Sequence, residues 1–325
     1  MSAAAQTPPA GARRIATLAR DALPYAGLIA VILFFSLSSE FFFNTRNFER
    51  LVTDSATLML VAFGMTLVIL LGEIDLSVSA VVALLAVILA QIMAAGAAWP
   101  LAVLAILLIG LGIGLLNGAI AVLGDIPSFI VTLGMMAVAT GLSYVFTGSI
   151  SVAILNEPFL VLFYDARLLT LPVPLWITAV AFAATLLFLT RSVPGRELFA
   201  VGANPAAAGL SGVPVKRRKI TVFAIMGVLV AMAAILSAAR LGSGAPASVP
   251  ALTLDAIAAV IIGGASLFGG RASLVRTLMG AALIAVLNNG MVLMNVNIDA
   301  QYIVKGVIIL LAVVLERLAS GARMS

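Results

Sequence analysis

Long apolar segments, separated by short junctions of glycine, proline and charged residues, dominate the pattern of this 325-residue chain. Ten of them approach the roughly 20 apolar residues that an α-helix needs to cross a bilayer. They span about 23–43, 51–71, 76–95, 99–123, 127–147, 172–190, 220–240, 252–268, 273–294 and 298–317. The pattern predicts an all-α integral membrane protein with about ten transmembrane helices. A disordered tail is predicted over the small, polar and then basic residues 1–20, and a single transmembrane domain over 21–325.

The composition supports this class and excludes several functions. Hydrophobic residues make up 63% of the chain and charged residues 10%, with a mean hydropathy of +1.23. The chain has no cysteine and no histidine, which excludes disulfides, Cys/His zinc sites and histidine proton relays. No acidic residue lies at the centre of a predicted span, which argues against ion coupling and favours a neutral solute. We expect no catalytic residue, no metal site and no cofactor bound by this chain.

Basic residues are distributed unevenly along the predicted topology. Ten spans place both termini on one side, and if that side is the cytoplasm it carries thirteen of the eighteen basic residues, against four outside. This distribution follows the positive-inside rule. Topology therefore explains the net charge of +5 better than nucleic-acid binding does. The irregular segment 148–171 would then lie outside, where an external partner could dock.

The segment 191–219 is the longest strongly polar stretch between apolar segments, and it holds six of the basic residues. Inside it, Asn204 can cap a helix and Pro205 suits the first helical position. Gly212 can end that helix in a left-handed conformation, and Pro214 prevents its continuation. The predicted helix is too short to be stable alone. Either it docks on a partner, or the segment is a linker that contains a turn.

The sequence GRELFAVGANPAAAGLSGVPV, at 195–215, resembles the cytoplasmic loop of ABC-type sugar permeases of the ribose-transporter family. In that family the loop carries the coupling helix, which seats in a groove of a separate ATPase subunit. The resemblance implies that the residues of this coupling loop are Gly195, Arg196, Ala200, Gly202, Asn204, Pro205, Ala207, Ala208, Leu210, Ser211 and Gly212. It covers almost the whole chain after residue 20.

Two further segments resemble motifs of the same family. GEIDLSVSAVVAL, at 72–84, has Glu73 and Ser79 where the family has glycines, and Asp75 is predicted to cap the following helix. Alternatively, Glu73 and Asp75 contact the solute or a gate. IIGGASLFGGRAS, at 261–273, lacks the Gly-Lys-Ser/Thr ending of a phosphate-binding loop, so nucleotide binding is rejected. Its glycines are expected to permit close helix contact and a helix break.

An internal repeat relates residues 115–134 to residues 287–306 without gaps, at an offset of 172. The identical pairs are Leu115/Leu287, Asn117/Asn289, Gly118/Gly290, Ile126/Ile298 and Gly134/Gly306. Five predicted spans separate the copies, so the copies would have opposite orientations in the membrane. We therefore expect an inverted repeat of the kind found in transporters.

Polar residues inside apolar spans usually face a bundle interior or a cavity. The asparagines in such positions are Asn117, Asn288 and Asn289. They either bind a passing polar solute or make plain helix-to-helix hydrogen bonds. With Glu73 and Asp75, they are the candidate residues of a translocation pathway. Lys305 and Asp299, near one end of the last span, are expected to pair or to extend to the membrane surface.

The resemblance implies the permease subunit of a binding-protein-dependent ABC importer for a monosaccharide, with a type II-like fold. Its expected partners are a second permease copy or a paralogue, a cytoplasmic ABC ATPase that holds ATP and Mg²⁺, a periplasmic sugar-binding protein and membrane lipid. The chain would be a multi-pass protein of the bacterial inner membrane that performs no bond chemistry. Its sugar is not specified by the sequence. The alternatives are an ion-coupled secondary carrier for a small polar solute and a membrane scaffold without a pathway.

Overall fold

The computed structural model describes residues 10–321, and within them the fold is almost entirely helical. Four two-residue strands and one π-helical turn interrupt the helices. In chain order the elements are α1 (Ala10–Ser38), α2 (Thr45–Leu70), α3 (Val78–Ala94), α4 (Trp99–Leu123), α5 (Ser128–Thr147), β1 (Val152–Ala153), α6 (Glu157–Leu160), the π turn (Val161–Asp165), β2 (Arg167–Leu168), β3 (Leu171–Pro172), α7 (Val173–Arg191), α8 (Val193–Ala203), α9 (Pro205–Leu210), α10 (Val215–Leu241), β4 (Ser243–Gly244), α11 (Leu252–Ile262), α12 (Leu274–Leu293) and α13 (Ile298–Gly321).

Each of the ten predicted spans overlaps one of these helices, but the helices differ in length. Within residues 10–321, six helices are long and apolar enough to cross a bilayer, namely α2, α4, α5, α7, α10 and α12. Three apolar helical segments are shorter, Pro24–Ser38, Val78–Ala94 and Leu252–Ile262. The all-α membrane class is therefore confirmed, and six of the ten predicted spans meet the criteria of length and hydropathy.

Two predicted boundaries are corrected by the structure. Helix α1 begins at Ala10, so residues 10–20 of the predicted tail are helical, while residues 1–9 lie outside the described residues. Helix α11 ends at Ile262 rather than near residue 268, because Gly264, Gly269 and Gly270 all have positive φ and cannot continue a right-handed helix. A loop over 263–273 follows.

Helices α2 and α10 form the centre of the bundle, and their side chains contribute most of the large buried residues, among them Phe63, Met65 and Phe223. Helix α4 packs against α10 so closely that the backbones of the two helices are in direct contact. A Cβ at Gly114 would lie 2.2 Å from the carbonyl oxygen of Phe223, and one at Gly227 would lie 2.1 Å from that of Gly110. Small residues that allow such contact stabilise helix pairs in bilayers through van der Waals packing.

The two halves of the bundle pack on each other reciprocally. Helix α10 packs against α3 and α4, and α2 packs against α11 and α12. Helix α5 lies on α3 in the same way that α13 lies on α11. This exchange of partners is what two related helical units of opposite orientation would give, and the sequence repeat pairs the end of α4 with the end of α12.

The bundle has two ends, which we name after the elements found there. At the α9 end lie α8, α9, the segment 71–77 and the loop 263–273. At the β1 end, strand β1 pairs with β4 and β2 pairs with β3, both antiparallel. The segment 148–171, predicted to be irregular, thus contains short strands, α6 and the π turn.

Candidate functional site

Helix α9 has the local structure that the sequence predicts. The Asn204 side chain accepts a hydrogen bond from the Ala207 N–H at 3.0 Å, which caps the helix, and Pro205 is its first residue. Gly212 follows with φ of +85°. Pro214 then precedes α10. Five of the six residues of α9 are exposed. A short apolar helix is therefore presented to the surroundings at this end of the bundle.

Helix α8 was not predicted, although its start carries a signal. Ser192 accepts a hydrogen bond from the Gly195 N–H at 2.9 Å and so caps the helix, with Pro194 in its first turn. Gly195 itself lies against the end of α7, where an added Cβ would be 1.9 Å from the carbonyl oxygen of Phe188. The segment 191–219 is therefore two consecutive helices that pack on the bundle, not a loop containing one.

A glycine junction connects α8 to the rest of the bundle; it consists of Gly72, Gly202, Gly269 and Gly270. A Cβ at Gly202 would lie 1.9 Å from the Leu70 carbonyl oxygen and 2.6 Å from the Gly270 nitrogen. The Gly270 N–H donates to that same Leu70 oxygen at 2.8 Å. The end of α2, the end of α8 and the loop 263–273 thus meet without intervening side chains. The four glycines come from the three motifs that the sequence singles out, at 195–215, 72–84 and 261–273.

The predicted coupling residues fall into two groups at this end. Three are buried and support the packing, namely Gly195, Gly202 and Ala208. The others are exposed, namely Arg196, Ala200, Asn204, Pro205, Ala207, Leu210, Ser211 and Gly212. Leu210, with 93% of its surface exposed, is an apolar side chain that its own fold leaves uncovered.

Ion pairs fix the start of α10 beside the junction. Lys219 of α10 pairs with Glu73, and Arg218 pairs with Glu197 of α8. All four side chains are largely buried, with at most 23% of the side chain exposed. Glu73, a candidate pathway residue, therefore lies at the α9 end and links the segment after α2 to α10.

Asp75 and Asn117 form a buried polar cluster with Ser77. Asp75 accepts hydrogen bonds from the Ser77 N–H at 2.9 Å and from the Ser77 hydroxyl at 2.6 Å, and Asn117 donates to the same hydroxyl at 3.3 Å. The prediction that Asp75 caps α3 is wrong by two residues, since the N-cap position is Ser77. Asp75 instead closes the turn that precedes the cap. The cavity beside this cluster has a volume of only about 10 Å³.

A larger cavity, of about 350 Å³, lies at the β1 end between α2, α10, α11, α12 and α13. We call it the polar cavity. Its wall residues form two salt bridges. Arg240 pairs with Asp54 at 3.2 Å, and Asp255 accepts from Lys305 at 3.0 Å. The expected pairing of Lys305 with Asp299 is thereby corrected, because α11 brings Asp255 to the lysine.

The two neighbouring asparagines of α12 both line the polar cavity. Asn288 donates to Asp255 at 3.1 Å, and so joins the Asp255–Lys305 pair. Asn289 exchanges two amide hydrogen bonds with Asn47, at 2.8 and 3.1 Å, which tie α12 to the start of α2. Of the five candidate pathway residues, these two line the cavity of about 350 Å³, whereas Asp75 and Asn117 line a cavity of only about 10 Å³.

The remaining polar wall was not predicted from the sequence. Asp54, Ser55, Thr57, Arg240, Ser248, Asp255 and Tyr302 line the polar cavity. Nearby, outside the cavity, Arg167 of β2 donates two hydrogen bonds to Glu49 at 2.7 and 2.8 Å, and this contact raises the pKa of Arg167. The only signal in the sequence was the position of Asp54 and Asp255 within the first turns of apolar segments.

Comparison with known proteins identifies the family of this chain. A family model described as the branched-chain amino acid transport system, permease component, matches residues 47–313. The chain is 38% identical to the ribose import permease RbsC of Escherichia coli K12 over 292 residues, which covers 89% of this chain and 91% of the relative. It belongs to the ribose-family ABC transporter permeases. The predicted resemblance is confirmed.

Other permeases of the family match over similar lengths. Identity is 37% to the ribose import permease RbsC of Bacillus subtilis, with 92% of this chain and 93% of the relative covered. It is 36% to the D-allose transport system permease AlsC of Escherichia coli, with 90% of each covered. No solved structure matches the chain. This ABC permease is a multi-pass membrane protein. It is a non-catalytic subunit, since the ATPase of such systems is a separate chain.

Proposed function

We propose that this ABC permease translocates a neutral, ribose-like monosaccharide into the cell, driven by ATP that a separate ATPase subunit hydrolyses. The observation that carries the proposal is helix α9, an exposed alanine-rich helix that follows α8, whose end lies in the glycine junction. Only Asn204 separates α9 from α8, and α8 is in backbone contact with the end of α2 at Gly202. A partner that moves α9 would therefore act on α8 and, through it, on α2. The relatives named for ribose and allose support a monosaccharide as the cargo.

Helix α2 connects the two ends of the molecule in this mechanism. Its last residue, Leu70, lies in the glycine junction, and its first turns carry Asp54 and Ser55 of the polar cavity. Closure of the ATPase subunits around ATP would displace α9 and α8, and the displacement would reach the cavity wall through α2. Changes of this kind, in which packed helices shift as units, are an established way to switch access.

The same proposal includes a topology. Ten helices cross the membrane, with both termini and the α9 end in the cytoplasm, because that end carries most of the basic residues. Helices α2–α5 and α10–α13 form an inverted repeat, which the reciprocal packing of the two halves supports. A second permease, identical or paralogous, completes the translocation unit. A periplasmic sugar-binding protein docks on the β1 end.

Substitution of one exposed alanine tests the coupling role. In Ala207→Glu a carboxylate would enter the ATPase groove without a partner, and burial of an unpaired charge is unfavourable. We expect ATP-driven sugar uptake in reconstituted vesicles to be lost while the variant remains folded in the membrane. Ala207→Ser, which changes the same exposed position without adding a charge, is the matched control and should retain uptake.

Two results would contradict the proposal. If Ala207→Glu still co-purifies with the ATPase and supports normal uptake, α9 is not the coupling element. If wild-type uptake continues after the ATPase subunit is removed, the chain is an ion-coupled carrier instead. Because the chain has no cysteine, Ala207→Cys also reports the side of the membrane, and labelling is expected only from the side where ATP is supplied.

A further inference from the structure

We propose that the polar cavity is a solute-binding site contained within a single copy of the chain, and that it takes a neutral polyol such as a monosaccharide. This inference rests on the proposed transport of a sugar, but it adds a location and a chemistry. The cavity lies among five helices of one subunit, so binding there needs no residue from a second permease. Its volume of about 350 Å³ is at the lower end of the roughly 300–1,000 Å³ typical of small-molecule sites.

Unpaired polar atoms in the wall point to a ligand. Among the described residues, neither Asn288 Oδ1 nor Ser248 Oγ has a hydrogen-bond partner, although both atoms are buried and both residues line the cavity. The Asn288 amide orientation is fixed, because its Nδ2 donates to Asp255. Buried polar atoms in proteins are nearly always paired. Both oxygens are closed off from the open space, so a solute hydroxyl would bond to them after a small shift of these side chains. A sugar hydroxyl can donate to Oδ1 and either donate to or accept from Oγ.

Charge in the wall favours a neutral solute. Two arginines and two aspartates line the cavity, namely Arg50, Arg240, Asp54 and Asp255. Arg240 pairs with Asp54, and Asp255 is further paired with Lys305 of α13. The aspartates would repel an anion and the arginines would repel a cation, whereas a polyol can donate hydrogen bonds to the aspartates and accept them from the arginines.

The wall also has the mixed character of sugar-sized sites. Tyr302, 41% exposed, supplies an aromatic face beside the polar groups, and Ala285 and Val292 of α12 supply apolar surface. Pockets for small molecules are typically lined in this way, with a few polar groups that fix orientation. A pyranose or furanose has a C–H face and a hydroxyl rim, which suit these two parts of the wall.

Cysteine protection tests the site directly. The chain has no cysteine, so Ala251→Cys introduces a single thiol at a half-buried position of the wall, and Ala247→Cys places one on an exposed residue nearby that does not line the cavity. Each variant, assembled with its ATPase in vesicles, is modified with a small charged thiol reagent with and without D-ribose, D-allose or L-arabinose. A sugar at ten times its Kd is expected to slow modification of Ala251→Cys about tenfold and to leave Ala247→Cys unchanged.

Uptake by wall variants gives the second arm. Asn288→Leu removes the amide at similar size, and Ala285→Phe fills the space; both are expected to reduce sugar uptake at least tenfold while ATP hydrolysis by the complex is retained. Ala184→Phe, on the exposed side of α7, is the size-matched control and should transport normally.

The outcomes separate this inference from the proposed function. Equal modification rates with and without every sugar, or protection of Ala247→Cys as well, would overturn the cavity site. So would normal uptake by both wall variants. In each of these cases wild-type uptake of a sugar would leave the importer function standing. If the wild-type complex imports none of the three sugars with ATP, the proposed function itself fails.

Discussion

The glycine junction gives the sharpest test of how α9 communicates with the bundle. In Gly202→Ala the new Cβ would lie 1.9 Å from the Leu70 oxygen and 2.6 Å from the Gly270 nitrogen. Both neighbours are backbone atoms and cannot rotate away. Restoring ordinary contact requires α8 and the end of α2 to separate by about 1.5 Å, since interiors have no free volume to absorb the methyl group.

The cost follows from two effects. Overpacking of this kind costs about 1–3 kcal/mol, and loss of the 2.8 Å hydrogen bond from Gly270 to Leu70 costs about 1 kcal/mol more. We expect the free energy of unfolding of Gly202→Ala to be lower than that of wild type by roughly 2–4 kcal/mol. The variant should therefore unfold at a lower denaturant concentration. If the junction transmits movement as proposed, sugar uptake per folded molecule should also fall.

The measurement is equilibrium unfolding in mixed micelles, together with uptake in vesicles normalised to folded protein. Gly134→Ala, in α5, is the control, because its Cβ would meet no atom within 4 Å. It should be neutral or slightly stabilising, as alanine is the better helix former. If Gly202→Ala matches wild type in both stability and uptake, the close backbone contact between α8 and α2 is not part of the native state.

Two further substitutions test other contacts. Asn204→Ala removes the α9 cap, at a cost of about 1 kcal/mol to that helix, and should weaken co-purification with the ATPase. Asn204→Asp, which can still cap the helix, should retain co-purification. Equal retention by both variants would contradict the role of the cap. Asp255→Asn leaves Lys305 buried without its counter-charge, so a loss of about 3–5 kcal/mol is expected in thermal unfolding. The double variant Asp255→Asn/Lys305→Met should recover most of that loss, and a double variant no more stable than Asp255→Asn would show that the ion pair is not the cause.

The structure of α9 was predictable because its determinants are local. Asn204, Pro205 and Gly212 each act on the backbone within three or four residues, and the structure has all three in the expected roles. The neighbouring helix α8 was missed although Ser192 and Pro194 mark its start. The basic residues around 191–219 suggested a water-facing loop, and that charge pattern concealed the helix.

Contacts distant in sequence were not predictable. Lys305 was expected to pair with Asp299 in its own helix, but the packing of α11 against α13 brings Asp255, fifty residues away, to within 3.0 Å. The asparagines Asn288 and Asn289 were recognised as polar residues in an apolar span, whereas their partners depend on tertiary packing. The polar cavity depends on five helices together, so no single segment carries a signal for it.

Helix α2 has no proline between Thr45 and Leu70 and is one continuous helix of 26 residues. At 1.5 Å per residue it is about 39 Å long. If a rigid helix of that length tilts about Leu70, the sideways displacement grows with distance from Leu70 and is largest at the far end. A tilt of about 5° would carry its far end sideways by about 3 Å, comparable with the helix shifts that accompany switching in other proteins. A small angular displacement at the α9 end would thus be large enough to widen or narrow a space of molecular dimensions at the other end of the bundle.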